Sequence, residues 1–166
     1  SDHAVIAAPG ALTLVAAAAD ADGTIANVEF FENGAKIGEA SSAPYQLALT
    51  NLAAGTVTFT ARATDNAGAV VTTPPCTVII DTPPSASLIA PAVVSGGAGV
   101  TLSATSADPD GRIARVEFHR GGALIGTVTS PTGLPPAYVY TDTDALTPGR
   151  YHYTVRSYDN NGLYTD

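Results

Sequence analysis

One eleven-residue block occurs twice in this chain. Asp20-Ala-Asp22-Gly23-Thr24-Ile25-Ala26-Asn27-Val28-Glu29-Phe30 returns as Asp108-Pro-Asp110-Gly111-Arg112-Ile113-Ala114-Arg115-Val116-Glu117-Phe118, a displacement of 88 (108 − 20) that holds from Thr13/Thr101 to Gly38/Gly126. Further on, Thr60-Ala-Arg62-Ala-Thr-Asp65-Asn66-Ala-Gly68 matches Thr154-Val-Arg156-Ser-Tyr-Asp159-Asn160-Asn-Gly162 at a displacement of 94 (154 − 60), so the second copy carries six extra residues in between (94 − 88). The segment Ser130-Pro-Thr-Gly-Leu-Pro-Pro136 has the loop composition to hold them. Two matched blocks in the same order mean a tandem repeat, and the chain divides into copies at 1–82 and 83–166.

Within each copy the apolar residues recur with period two and stop at turn signals. Leu12, Leu14 and Ala16 alternate with Ala11, Thr13 and Val15; Val28 and Phe30 flank Glu29; Val57, Phe59, Ala61 and Ala63 alternate; Tyr151, Tyr153 and Val155 take the matching inward places in copy two. Asn33-Gly34 is a hairpin turn signal. Leu12–Ala19 alone shows a helical period, but its counterpart reads Leu102-Ser-Ala-Thr-Ser-Ala, so strand is the consistent assignment. About seven short strands per copy with regular turns is the pattern of a β-sandwich. The fold class is all-β, with two sandwiches in tandem.

At 166 residues with 45% hydrophobic and only 13% charged residues, the chain suits two small packed domains and not a disordered tail. A net charge of −8 leaves nothing to neutralise nucleic-acid phosphates, and it disfavours an anionic membrane surface. No stretch reaches the roughly 20 apolar residues of a membrane span. Cys76 is the single cysteine, expected on an inward strand face with Val78 and Ile80, so neither copy contains an internal disulfide. There is no initiator Met, and any signal peptide is expected upstream of these residues.

The series Asp-x-Asp-Gly-x-Ile-x-x-Val-Glu-Phe, Asn-Gly-x-x-Ile-Gly, Ala-Pro-Tyr and Thr-Ala-x-Ala-x-Asp-Asn-x-Gly resembles the bacterial Ig-like repeats of large extracellular proteins, found in adhesins and as accessory modules of secreted hydrolases. The resemblance covers nearly the whole chain. It implies immunoglobulin-like sandwiches and a secreted or cell-surface location. Copy two departs from it at Arg120-Gly121-Gly122 and at Pro136-Ala137-Tyr138, both turn positions.

The displacement of 88 sets Ser1 opposite Ile89, and that of 94 sets Asp166 opposite Thr72. Copy one is therefore expected to lack the first strand, which copy two carries in Pro84–Pro91. Copy two is expected to lack the last, Cys76–Ile80 in copy one. Either these residues are a segment of a longer chain, or a neighbouring subunit donates the strand, with His3–Ala8 as candidate donor.

In a sandwich of this kind the loop after the second strand and the turn before the last lie at one pole. Asp20 and Asp22 should approach Asp65 and Asn66; Asp108 and Asp110 should approach Asp159 and Asn160, with Asp81 near the second set. Two readings stand. Asp and Asn cap turns through their own backbone, with Gly23 and Gly111 supplying positive φ; or the clustered oxygens bind Ca²⁺. It is no EF-hand, because the twelfth positions are Phe31 and His119 where that loop needs Glu. The Asp20/Asp22 pair recurs in both copies, which suits scaffold better than catalysis. His3, His119 and His152 make no zinc set, and no nucleophile motif is present. The charges differ between copies: residues 1–82 hold 8 acidic and 2 basic groups, residues 83–166 hold 7 and 5. Arg112, Arg115, Arg120, Arg150 and Arg156 with Tyr158 and Tyr164 form either a solvated face of charge pairs or a surface for glycan or protein.

The expectation is a non-catalytic spacer or adhesion module that meets neighbouring domains of the same chain or adjacent subunits. The rivals are a fibre subunit joined by strand donation and a carbohydrate-binding accessory module. The absence of Trp weighs against the last.

Overall fold

The structure, a computed structural model, describes residues 3–91, 99–144 and 149–166, which form two compact units, Ser1–Asp81 and Thr82–Asp166. Every regular element among the described residues is a strand, and no helix there is long and apolar enough to cross a membrane.

The first unit contains β1 (Ala4–Ala7), β2 (Gly10–Ala16), β3 (Ile25–Glu32), β4 (Ala35–Ala40), β5 (Tyr45–Leu52), β6 (Gly55–Asp65), β7 (Val70–Thr72) and β8 (Cys76–Asp81). One sheet runs β1-β8-β6-β3-β4 with β7 also on β6; the other is the pair β2-β5. The alternation does what period two requires: Val57, Phe59, Ala61 and Ala63 on β6 are buried, as are Val28 and Phe30 on β3. Val28, Phe30, Ala61 and Ala63 pack against Leu14, Tyr45 and Leu47 of the second sheet in the upper half. In the lower half Val57, Phe59, Val78 and Ile80 pack against Leu12, Leu49 and Leu52. Cys76 lies half-buried on the same face of β8 as Val78 and Ile80, as its alternation implies.

The second unit contains β9 (Ser85–Ile89), β10 (Val100–Ala107), β11 (Ile113–Arg120), β12 (Ala123–Val128), β13 (Tyr138–Asp142), β14 (Tyr153–Asp159) and β15 (Tyr164–Thr165). Its sheets are β13-β10-β9 and β12-β11-β14-β15, enclosing Val100, Leu102, Ala104, Val116, Phe118, Tyr138 and Val155.

Nothing in the first unit pairs with β2 on the flank where β9 pairs with β10, so the expected first strand is indeed missing among its described residues. Among its described residues the second unit likewise shows no counterpart of β8. His3–Ala8, however, is not held out for a neighbour. β1 pairs in parallel with β8 inside its own unit, Ala4 opposite Val78 through Ala7 opposite Asp81, and the His3 and Ala8 N–H groups extend the ladder to Thr77 and Asp81 carbonyls. Its counterpart under the displacement of 88, residues 92–95, lies outside the described residues.

Tyr151 also differs from expectation. It precedes β14 and is 40% exposed, whereas Val57 at the matching place is 8% exposed under Val78 of β8.

Both β3–β4 and β11–β12 turns need positive φ at two successive residues, the requirement of a type I′ hairpin. Asn33 and Gly34 adopt 48° and 85°, and Gly121 and Gly122 adopt 57° and 85°, so the sequence departure at Gly121 keeps the turn. What it loses is a side chain. Asn33 Oδ1 accepts the Thr58 N–H at 3.0 Å, while at the equivalent place only the backbone bond from Gly121 N–H to the His152 carbonyl remains. Asn tolerates this backbone region. Gly121→Asn is expected to raise stability by about 0.5–1.5 kcal/mol, read as a shift in denaturation midpoint with unchanged slope.

Candidate functional site

The acidic loops converge as expected, and the hydrogen bonds show what holds them. In the first unit Asn66 Oδ1 accepts the Thr24 N–H at 2.8 Å and the Asn66 N–H donates to the Thr24 carbonyl at 2.9 Å, tying the β2–β3 loop to the β6–β7 turn. Asp65 Oδ1 accepts the Ala67 and Ala69 N–H groups, both at 2.8 Å. Asp20 Oδ1 accepts the Asp22 N–H at 3.4 Å.

The second unit repeats each of these. Asn160 Oδ1 accepts the Arg112 N–H at 2.7 Å, and its own N–H donates to the Arg112 carbonyl at 3.0 Å. Asp159 Oδ1 accepts from Asn161, Gly162 and Leu163 at 2.8, 2.7 and 3.0 Å. Asp108 Oδ1 accepts the Asp110 N–H at 3.3 Å, and Asp110 Oδ2 accepts the Thr82 N–H at 3.1 Å. Asp81 ends β8 and is buried in the first unit at 2% exposure.

The glycines of these loops act differently from expectation. Neither Gly23 nor Gly111 has positive φ. Each is glycine because oxygens crowd its Cα. A Cβ on Gly111 would lie 2.5 Å from Asp108 Oδ2 and 2.6 Å from Asn160 Oδ1, and one on Gly23 would meet Asn66 Oδ1 and Asp20 Oδ2 equally closely. The positive φ belongs to Gly68 and Gly162, at 89° and 95°, in the turns capped by Asp65 and Asp159.

The two poles are not identical in energy. Asp108 Oδ2 and Asp159 Oδ2 are buried without a hydrogen-bond partner; in the first unit neither Asp20 nor Asp65 has such an atom. Burial pushes the Asp108 carboxyl above the ordinary aspartate range, and the Asp110 and Asp159 carboxylates push it further. A raised carboxyl pKa means that the folded state holds its proton to higher pH than the unfolded chain. Stability therefore falls as pH rises from about 3.8 through the folded value. Asp108→Asn keeps the Oδ1 acceptor and turns the orphaned oxygen into a donor. It is expected to raise the melting temperature of the second unit at pH 7 and to leave it unchanged near pH 3, where Asp108 is protonated in both states.

The polar-aromatic face is smaller than the sequence suggested. Arg115 lies 3.6 Å over the Tyr158 ring, Tyr158 and Tyr164 are 5.4 Å apart, and Arg156 lies 4.3 Å over Tyr164. Asp166 takes two bonds from Arg156, at 2.5 and 2.8 Å, and Glu117 takes one from Arg115 at 2.8 Å. One face of each ring is thus used within the sheet. Arg120 turns away to Asp142 and Asp144, and Arg112 and Arg150 are exposed outside the strands. In the first unit the same sheet positions carry Asn27, Thr64 and Val70, so the stack belongs to copy two alone.

Sequence reasoning missed one cluster. Asp142 is buried at 2% exposure and accepts from Arg120 at 2.8 Å and from the Tyr153 hydroxyl at 3.0 Å. Burial raises the Tyr153 phenol pKa and the hydrogen bond to Asp142 raises it further. The signal was present: Asp142 follows Tyr138 and Tyr140 at an inward place of β13.

Among the described residues no three His, Cys, Asp or Glu side chains are grouped to hold a metal ion. A groove of about 320 Å³ in the first unit is lined by Ala16–Ala19, Ala43, Pro44 and Tyr45, a surface with one phenol and no acid–base pair.

Comparison with known proteins bears on the fold. The chain is similar over 99% of its length to fibronectin(III)-like modules of CbhA from Clostridium thermocellum, with 24% identity, 85% of that chain covered and a TM-score of 0.57. It is more distantly similar, at 17% identity and a TM-score of 0.39, to SGBP-B of the Bacteroides ovatus mixed-linkage glucan utilization locus, solved with a mixed-linkage heptasaccharide. The chain spans 40% of that protein's length. No curated protein matches. The model of the bacterial Ig domain matches residues 1–61 and 84–155, one match per unit, and the chain belongs to that family.

Proposed function

We propose that this chain is a non-catalytic building module of a bacterial secreted or cell-surface protein, acting as a spacer or adhesion segment. One observation carries the reading. The residues with the most chemistry, the Asp and Asn of both poles, bind backbone N–H groups of their own unit in the same way in each copy. A site that did chemistry would aim such groups at an open cleft. Turn capping likewise fits these oxygens better than Ca²⁺ does.

A spacer is judged by mechanics. Pulling on the chain ends should give two separate unfolding events, each releasing on the order of 270 Å, from roughly 80 residues at 3.3–3.6 Å each. A single event releasing the whole length, or a melting shift on calcium addition or chelation, would count against the reading. The accessory-module alternative takes support from the exposed half of Tyr164. The covered ring faces oppose it, because a sugar needs an open aromatic face. An adhesion role would show as binding to a surface glycan or protein that Tyr164→Ala removes.

A further inference from the structure

We propose that the outer face of the β13-β10-β9 sheet packs on the same face of a second copy of this chain, about a two-fold axis, through side chains that carry no charge. The proposal goes beyond the spacer reading, because it names what the module meets at its side.

Charge is divided unevenly between the two layers of each sandwich. β2, β5, β9 and β10 hold no charged residue, and the one in β13, Asp142, is turned inward and buried. The opposite layer carries Glu29, Lys36 and Arg62 in the first unit and Arg115, Glu117 and Arg156 in the second. Alternation therefore leaves Thr13, Val15, Gln46, Ala48 and Thr50 on the outer face of β2-β5. On that of β13-β10-β9 it leaves Ser87, Ile89, Thr101, Ser103, Val139 and Thr141. A surface kept only for solvent mixes charges of both signs, whereas the core of an interface is depleted of them.

The shape of the second unit's face fits itself. Ser103 lies opposite Ile89 on one side and Val139 on the other. A small, half-buried residue thus stands between two branched ones that are 67% and 41% exposed. The strand spacing sets those two on the order of 10 Å apart, room for one apolar side chain between them. A two-fold axis brings the Val139 of each copy over the Ser103 of the other. The hydroxyls fit themselves as well. A Ser or Thr hydroxyl both donates and accepts, as Thr101 and Thr141 do with each other at 3.3 Å, so such a face needs no partner of different chemistry. With a net charge of −8, two copies repel at long range, and this face lets them meet with no carboxylate to desolvate. A sugar surface also offers hydroxyls, but it needs an open aromatic ring, and Tyr138 and Tyr140 of β13 turn inward. Three strands of five residues give a footprint of roughly 14 Å by 17 Å, well short of the ~800 Å² per partner of a stable interface. The pair is therefore transient.

Amide magnetic resonance spectra of the whole chain, recorded from about 20 μM to about 1 mM, read such a contact. The signals of Ser87, Ile89, Ser103, Val139 and Thr141 should move with concentration. The apparent affinity should rise about twofold as sodium chloride goes from about 0.02 M to about 0.5 M, because salt screens the repulsion and breaks no ion pair on this face. Ser103→Glu should weaken the association about tenfold, since each copy then sets a carboxylate against the other. Val139→Thr, which keeps a β-branched side chain in the strand, should weaken it about threefold with the melting temperature unchanged. No movement with concentration overturns the proposal, as does movement confined to Arg115, Glu117 and Arg156 or an affinity that falls with salt. A face that moves only when cellohexaose is added overturns it too. The pulling experiment is made on one molecule at a time and is indifferent to this result, so failure of the pairing leaves the spacer reading standing.

Discussion

Asp142→Ala is expected to destabilise the second unit by about 3–5 kcal/mol, enough to unfold a sandwich of this size or nearly so. The carboxylate is buried, and its removal leaves the Tyr153 hydroxyl without an acceptor in the same low-dielectric surroundings. Arg120 keeps only Asp144, at 2.6 Å, and the Asp144 N–H loses its bond to Asp142 Oδ1. The first unit shows how the position can be filled otherwise. Register places Leu49 where Asp142 stands, opposite Leu12 and Val100 respectively, and Phe59 where Tyr153 stands. The double change Asp142→Leu with Tyr153→Phe therefore removes donor and acceptor together. It should recover most of the loss, because a buried polar set replaced by apolar groups of similar size is often neutral. Urea denaturation of the two variants checks this. A double variant as unstable as the single would show that the polar set, and not its half-broken state, holds the lower core.

The second large effect separates two glycines that occupy the same place in the repeat. Gly126→Ala should cost about 2 kcal/mol or more, whereas Gly38→Ala should cost well under 1 kcal/mol. A Cβ on Gly126 would enter the Tyr140 ring, which stacks on Phe118 at a centroid distance of 5.6 Å and is tied by its hydroxyl to the Ile125 carbonyl. The ring can yield only by giving up both contacts. A Cβ on Gly38 would meet the two terminal methyls of Leu47 at 2.8 Å, and these can rotate aside. Tyr140→Leu should then make Gly126→Ala tolerable, since it rebuilds the pairing of copy one. Thermal melts of the three variants decide it. Equal costs at Gly38 and Gly126 would refute the assignment of the difference to the ring.

The strands could be read from the chain because each copy repeats its own alternation. Leu12, Leu14 and Ala16 turn inward and Val15 is 70% exposed, as the pattern required. The turn at Asn33-Gly34 was legible for a similar reason, since few residues accept its backbone. β1 was legible as a strand but not as a partner of β8. Parallel pairing between residues more than seventy positions apart leaves no local mark, and the four residues Ala4–Ala7 were too few to show alternation. The oxygens at the poles were placed correctly. Their use stayed open between turn capping and a cation, because whether Asp159 Oδ1 meets three N–H groups or a cation depends on the path of the turn after it. Tyr151 was assigned inward by analogy with Val57, and the analogy failed where the covering strand has no counterpart among the described residues.

The two units solve one packing problem with different residues. Copy one closes its lower half with Val57, Phe59, Val78 and Ile80. Copy two sets Asp142, Tyr153 and Arg120 there and leaves Tyr151 exposed at the flank.

The account depends on both copies folding as the same paired strands in the same register. Through-space magnetic contacts between backbone protons test this directly. They should join Glu29 to Arg62 and Leu14 to Leu47 in the first unit, and Glu117 to Arg156 and Leu102 to Tyr140 in the second. Contacts from each residue to the third one on along Leu12–Ala19, or pairs in the second copy slipped by one residue from those in the first, would contradict it.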